Sequence, residues 1–359
     1  MKVLVVQGEI PGYRIPIFNR IAEKHELTVA IQKKFSPPAG IGFSVLELPV
    51  KKIRSINLHS LSVLKLFKQY DVVIVSNDLH YPVLLVAFFL PRRYALGSFG
   101  IGFRCSYTRR YDPQRKHTFL DWVAKQVLLH SDFNIFYMKE NIAFWHNELP
   151  VENTFVAHNT VEILPTTINE VAGRKTAILF VGTLYKQKMI YELIDSYVRV
   201  KKKNKDFFDL EIVGPGPELP VITEMVRQMD LADCIHLHGP IYDEKVLKPL
   251  FLSSALCVSP NQAGLSVLKS LGYGVPFVTR SDAITGGERL NIRSGENGYF
   301  YDSPAELDKI LLSAWEHPEK SAELSRNAHE YYWNHATPDK MAEGFLKAIE
   351  YGSRKKNLR

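Results

Sequence analysis

Short runs of consecutive apolar residues, each closed by a glycine or a polar turn, recur along the chain, and they constrain its fold more tightly than any other feature. In the first half the runs are Lys2–Gln7, Leu27–Gln32, Asp71–Ser76, Arg93–Ser98, Phe133–Tyr137 and Thr154–Ala157, with helical patterns over 13–24 and 116–131. The alternation then starts again with Ala177–Val181, Leu210–Val213, Ile235–Leu237, Leu256–Ser259, Pro276–Thr279 and Gly298–Tyr301, interleaved with helical patterns at Tyr191–Lys203 and 217–230. A strand that is apolar on both faces needs cover on both faces, which means a parallel sheet between two layers of helices. Two such series predict an α/β chain of two doubly wound domains, and 359 residues suit that number. The polar stretch after Leu164-Pro165-Thr166-Thr167 sets the expected division: 1–165, then 166–337, then a last helix from 338 into a basic tail.

Several function classes fall away on composition. The three cysteines, Cys105, Cys234 and Cys257, are scattered, with no Cys-x-x-Cys. That argues against a disulfide scaffold or a zinc site and fits a reducing compartment; Cys257 reads as a buried strand residue. The opening MKVLVVQGEI turns polar too soon for a signal peptide, and the apolar run Val83–Leu90 is far below the roughly 20 residues of a spanning helix. The expected location is cytoplasmic, with peripheral attachment at the inner face of the plasma membrane as an option.

The net charge of +7 is lopsided: residues 1–165 hold 20 Lys/Arg against 13 Asp/Glu, and residues 166–359 hold 25 of each. A basic first half suits a phosphorylated acceptor or an anionic membrane surface, or simply confers solubility. None of the usual nucleic-acid-binding modules is present, so nucleic acid is not an expected partner. Arg104, Arg109, Arg110, Arg115 and Lys116, with Tyr107 and Tyr111, make a basic-aromatic loop that could face such an acceptor or membrane. Residues 58–70 carry an apolar face beside Lys65 and Lys68, which fits an interfacial helix or, more commonly, a helix packed on its own sheet.

Ligands of open parallel sheets bind beyond the carboxyl ends of the strands, and three strand ends of the second half are suggestive. Gly182-Thr183-Leu184-Tyr185-Lys186-Gln187-Lys188 joins a glycine turn to lysines near a helix start, the makings of a diphosphate site. Val213-Gly214-Pro215-Gly216-Pro217 is a rigid turn that lacks the third glycine of the dinucleotide fingerprint. In Ser259-Pro260-Asn261-Gln262-Ala263-Gly264-Leu265-Ser266 a small-residue loop opens a helix that stops at Gly274. Free amides at Gly264, Leu265 and Ser266 would point at a sugar and its phosphates.

That last stretch resembles the donor-site signature of glycosyltransferase family 4, whose members have the GT-B fold of two Rossmann-like domains facing across a cleft. Gly182-Thr183-Leu184 with Lys188 is similar to the family's diphosphate loop. Val213–Pro217 is similar to its Val-Gly-x-Gly-Pro turn, His238-Gly239-Pro240-Ile241 to its nucleotide-base loop, and Glu296-Asn297-Gly298 to its Glu-Asn-Gly turn. In the first half, Gly12-Tyr13-Arg14-Ile15-Pro16-Ile17-Phe18-Asn19 is similar to the opening of one bacterial branch, and Ala157-His158-Asn159-Thr160-Val161 to the close of its first domain.

The resemblance implies transfer of a hexose, with retention and without metal, from a UDP- or GDP-linked sugar bound by the second domain. The acceptor, a glycan or lipid-linked saccharide, would bind the first domain, and the product would be a surface polysaccharide such as capsule, O-antigen or exopolysaccharide. The nucleotide-sugar is then a substrate and no cofactor is expected; no Asp-x-Asp occurs, which agrees with a metal-free site. The implied donor set is Gly182, Thr183, Lys188, Gly214, His238, Gly239, Asn261, Gly264, Leu265, Ser266, Lys269 and Glu288. The implied acceptor set is Tyr13, Arg14, Gly100, Ile101 and Arg104.

Three positions depart from the family pattern. Its Glu-x7-Glu carboxylates fall on Asn261 and Lys269, its diphosphate-loop arginine on Thr183, and its Trp-Gly-His-Gly motif on Phe99-Gly100-Ile101-Gly102. Lys188 is left to balance the phosphates, with Lys186 or Arg280 as further options. These departures motivate an alternative: a non-catalytic homologue acting as a binding or scaffold partner in glycan assembly.

Overall fold

The computed structural model describes residues 1–103, 112, 115–145 and 148–357. The expected acceptor residue Arg104, and with it Tyr107, Arg109, Arg110 and Tyr111, lies outside them. The chain divides into two units, one of Met1–Thr160 with Thr337–Arg359 and one of Val161–Ala336.

The first unit holds β1 (Lys2–Val6), β2 (Glu26–Ile31), β3 (Ser44–Glu47), the hairpin of β4 (Val50–Ile53) and β5 (Ile56–His59), and then β6 (Val72–Ser76), β7 (Ala95–Gly100), β8 (Phe133–Phe136) and β9 (Thr154–Val156). Seven of these form one parallel sheet in the order β3-β2-β1-β6-β7-β8-β9. Its helices are α1 (Ile15–Ala22), α2 (Val63–Phe67), α3 (Pro82–Val86), α4 (Phe119–Leu129) and α5 (Glu140–Ala143).

Both faces of the sheet are covered, as the apolar runs require. Along β1, Val3 and Val5 enter one core while Leu4 and Val6 enter another. Helix α4 starts three residues later than the pattern predicts because Thr118 and Asp121 form a capping box, the Asp121 carboxylate accepting from the Thr118 N–H at 2.8 Å. The 58–70 segment is a strand end followed by the short α2, and Val63 and Phe67 of α2 are buried in the unit's own core. The interfacial-helix option therefore gives way to ordinary packing.

The second unit repeats the plan with β10 (Ala177–Val181), β11 (Asp209–Val213), β12 (Ile235–Gly239), β13 (Ser254–Val258), β15 (Phe277–Arg280) and β17 (Gly298–Tyr301), ordered β12-β11-β10-β13-β15-β17 and all parallel. A two-residue ladder of β14 (Gln262–Ala263) and β16 (Ile284–Thr285) lies outside the sheet. The helices are α6 (Ile168–Val171), α7 (Ile190–Lys203), α8 (Leu219–Gln228), α9 (Glu244–Leu252), α10 (Ser266–Gly272), α11 (Pro304–Glu316) and α12 (Pro318–His335). Here too β10 sends Ile178 and Phe180 into one core and Leu179 into the other. Cys257 is buried in β13, with its thiol pushed up to about 12 by burial.

The last helix, α13 (Pro338–Asn357), belongs to the first unit. Glycines let it lie close to the strands: a Cβ on Gly344 would meet the Val156 carbonyl oxygen at 2.3 Å, and one on Gly352 the Phe133 ring at 2.5 Å. Among the described residues no helix is long and apolar enough to cross a membrane.

Candidate functional site

Each sheet reverses its strand order once, at β1/β6 in the first unit and at β10/β13 in the second. Loops on either side of such a switch point run apart and leave a crevice at the carboxyl edge of the sheet, the place where open α/β sheets take ligands. In the second unit, the loops after β10 and β13 are the two that the glycine-rich motifs occupy.

The loop after β10 leads from Gly182 into a 3-10 turn at Lys186–Lys188, closed by Met189 in the left-handed region (φ +55°). That strained turn folds Lys188 back beneath the strand end. Its side chain is only 7% exposed, and a Cβ on Gly182 would stand 3.3 Å from its Nζ. Among the described residues no carboxylate pairs with it. Burial pulls its pKa down from 10.5 to about 8. A cation held in this way is costly unless an anion joins it.

The loop after β13 packs directly on that turn. The Asn261 amide donates to the Gln187 carbonyl at 3.0 Å, the Asn261 N–H reaches the Lys188 carbonyl at 3.4 Å, and the Tyr185 hydroxyl donates to the Gln262 side-chain oxygen. The two motifs read separately in sequence therefore form one surface. Gly264 follows, with nothing within 4 Å of a would-be Cβ, so its backbone faces open space. The N–H groups opening α10 at Ser266 have no acceptor within their own helix.

Other expected donor residues have different tasks. Gly214 and Gly216 are needed for packing between backbones: a Cβ on either would lie 2.0 or 2.1 Å from the carbonyl oxygen of Gly182 or Leu184. The Gly182 N–H donates to Val213 at 2.9 Å, that of Leu184 to Pro215 at 2.7 Å, and that of Gly214 to the Gly239 carbonyl at 2.7 Å. The Gly214 amide is thus spent inside the protein. The same holds for the Gly182 amide.

His238 sits in the edge strand β12 with its ring against the Glu211 carboxylate, and Gly239 ends that strand at φ +64° with open space beside it. Lys269 is ion-paired with Glu244 at the start of α9, whose second oxygen accepts from the Tyr273 hydroxyl at 2.8 Å. Glu288 turns onto its own loop, accepting from the Gly286 N–H at 2.9 Å.

The further cation options separate clearly. Lys186 is exposed. Arg280 is held by Glu192 and Asp282, each at 3.2 Å, and lies over the Tyr301 ring. Thr183 is exposed beside Gly182, Leu265 is half-buried, and Glu296 lies in an exposed turn. Glu192, Glu244, Tyr185 and Met189 were not singled out in the sequence. Glu244 carries no local signal, because its contact with Lys269 spans 25 residues.

In the first unit, Arg14 is 4% exposed at the carboxyl edge. The Tyr13, Phe99 and Tyr137 rings lie 5.0–5.4 Å from its guanidinium carbon, and it donates to the Asn159 side chain at 3.1 Å and to the Met341 sulfur at 2.9 Å. Gly100 ends β7 and Ile101 follows it at the same edge, and Tyr13 is half-buried.

The fold and this edge define a protein of two Rossmann-like parallel-sheet units, the second with a buried cation at its switch point that pairs with no carboxylate among the described residues. Comparison with known proteins narrows the class. Residues 175–317, the segment that builds this site, match the family model of glycosyl transferases group 1. D-rhamnosyltransferase WbpZ of Pseudomonas aeruginosa is 30% identical over 161 residues, 43% of this chain and 40% of that protein. The alpha-monoglucosyldiacylglycerol synthase of Acholeplasma laidlawii is 26% identical over 157 residues, 42% and 37% of the two chains. The chain thus matches well under half the length of these relatives.

Whole-chain similarity comes from structures. Anabaena Alr3699/HepE in complex with UDP superposes with a TM-score of 0.70 at 16% identity over 98% of this chain and all of that one. WaaG, a glycosyltransferase involved in lipopolysaccharide biosynthesis, gives 0.62 at 14% identity over 96% and 99%. The fold is GT-B.

Proposed function

We propose that the chain transfers a hexose from a nucleoside-diphosphate sugar to a glycan or lipid-linked acceptor, in cell-surface polysaccharide synthesis on the cytoplasmic side. The observation that carries this reading is Lys188, a buried cation with no carboxylate among the described residues, at the switch point of the segment that matches the family model of glycosyl transferases group 1. A diphosphate is the anion that fits it. As the bond between the anomeric carbon and the phosphate oxygen lengthens, charge grows on the departing diphosphate. Lys188 and the amides from Gly264 to Ser266 would stabilise that charge in place of a metal, with retention at the sugar. Thr183, Gly239 and Leu265 border the same surface. UDP is the first nucleotide to try, because Alr3699/HepE has been solved with UDP and with UDP-glucose.

On the acceptor side we assign contact to Tyr13, Gly100 and Ile101, with Arg14 fixing them from below. The test is a thermal melt with UDP, GDP, ADP and their sugar conjugates, with and without EDTA. One nucleotide should raise the melting temperature regardless of EDTA, and Lys188→Ala should lose the rise. No shift at millimolar nucleotide would remove the donor reading.

A second reading has its own support. At the two Glu-x7-Glu positions stand Asn261 and Lys269, both tied to protein partners, so the family's two carboxylates have no replacement at those positions. A non-catalytic binding partner would bind nucleotide without consuming the sugar donor. Donor turnover separates the two.

A further inference from the structure

The amino edge of the second sheet holds a cavity that the donor reading does not use. It has a volume of about 310 Å³ and lies between the strand starts and the corner where α11 turns into α12. Lys175 stands two residues before β10, Phe208 just before β11, and Ala255 near the start of β13. Trp315 lies in the last turn of α11 and Ala322 in the first turns of α12. The walls are fixed in place. The Ser321 hydroxyl donates to the Ala314 carbonyl across the corner at 3.0 Å, and the buried Phe207 ring lies 6.4 Å from that of Trp315 and 5.3 Å from that of Phe208.

The charge in this lining is of one sign. Lys175 and Arg174 contribute to it, and among the described residues no Asp or Glu does. Lys175 is half-buried; its ammonium has three donors, and its one hydrogen bond among the described residues goes to the Leu252 carbonyl at 2.8 Å. Burial pulls its pKa down from 10.5 to about 8, so the ammonium is held at a cost that an anion would relieve. Arg174 is exposed and has no ion pair among the described residues. Two cations at an apolar cavity with an indole and a phenyl ring in its wall match a ligand that is aromatic at one end and anionic at the other. The volume sits at the small end of the range for ligand pockets, about 300 Å³, and suits one or two rings.

We propose that this cavity is a second ligand site, for a small aromatic carboxylate whose rings lie against Phe208 and Trp315 and whose carboxylate meets Lys175 and Arg174. Reacting ligands of open parallel sheets sit beyond the opposite strand ends, so the occupant is an effector, neither donor nor acceptor. The full chain is titrated calorimetrically at pH 7 with 1-naphthoate, with the neutral 1-naphthamide and with acetate. Naphthoate should bind in the millimolar range or tighter. Naphthamide, which lacks the charge, and acetate, which lacks the rings, should each bind at least about tenfold more weakly. Lys175→Met should cut naphthoate affinity by about tenfold and leave naphthamide as weak as before. Ala322→Leu, which fills the cavity with another good helix former, should abolish binding of both. Both variants should keep the melting temperature of the parent; should Lys175→Met fail to fold, Ala322→Leu carries the test. Lys188→Ala should leave naphthoate binding unchanged, so this result stands apart from that of the donor reading.

Naphthoate that does not bind, that binds no better than naphthamide or acetate, or that binds equally well to Lys175→Met or Ala322→Leu overturns the proposal. So does naphthoate binding that is lost in Lys188→Ala, which would place the carboxylate in the donor site.

Discussion

Among the described residues, each unit buries one cation without a carboxylate at the carboxyl edge of its sheet, and the two have opposite surroundings. Arg14 is enclosed by three aromatic rings, and its guanidinium is spent on Asn159 and Met341, tying the loop after β9 and the start of α13 to the first sheet. Lys188 is buried beside Gly182, where a Cβ would stand 3.3 Å from its Nζ, and has burial as the main perturbation of its pKa. A buried charge whose surroundings already satisfy it holds the fold together. One left unsatisfied is a receptor, and the protein is less stable for keeping it.

Four experiments break or sharpen that contrast. Arg14→Ala should have the largest effect on stability, a loss of about 3–4 kcal/mol, because it opens a cavity among rings and removes the donors to Asn159 and Met341. The nucleotide-induced rise in melting temperature should survive, since the donor surface lies in the other unit; a loss of that rise would show that the two cations serve one site.

Lys188→Met should do the reverse. With the lysine pKa lowered from 10.5 to about 8, the charged form is penalised in the native state. That penalty is fully present below pH 8 and is relieved as pH rises toward 10.5. Removing the charge should therefore stabilise the ligand-free protein at pH 7 by up to about 3 kcal/mol in chemical denaturation, while abolishing the nucleotide response. A destabilised variant would mean that the lysine is satisfied internally.

Titrating nucleotide binding against pH gives the next effect. Affinity should be flat between pH 7 and 8 and then weaken by up to about tenfold per unit, as Lys188 loses its proton unless the anion retains it. A profile that stays flat to pH 10 would place the phosphate elsewhere. The smallest effect is expected from Gly264→Ala, which meets no atom within 4 Å and should shift stability by less than about 0.5 kcal/mol. It should nonetheless weaken nucleotide binding, because its methyl group would stand over the amides that border the site.

Much of this was legible in the sequence because apolar runs report burial on both faces. The two sheets follow from Val3–Val6, Val72–Val75, Ile178–Phe180 and their counterparts, and the glycine-rich strand ends mark the carboxyl edge. The β4–β5 hairpin was not legible, since Lys51 and Lys52 are exposed and the strands are short. The site residues were harder, because a motif names a loop without saying where each N–H goes. The turn at Gly214 does not reveal that its amide is taken by Gly239, two strand ends packing backbone on backbone. Nor does the motif show that Lys269 pairs with Glu244, which comes from a different helix. Nor does any local pattern show that Lys188 is buried, as lysine in a loop ordinarily reads as solvated.

The central claim is that Lys188 holds the donor diphosphate. It is tested most directly by measuring, by titration calorimetry, the affinity of the parent and of Lys188→Ala for a nucleoside and for its diphosphate, using the base that the thermal screen selects. The account predicts that the diphosphate improves binding by roughly ten- to hundredfold in the parent, the range of a charge-assisted hydrogen bond, and that most of this gain disappears in the variant while nucleoside binding stays the same. An equal diphosphate gain in both proteins would contradict it.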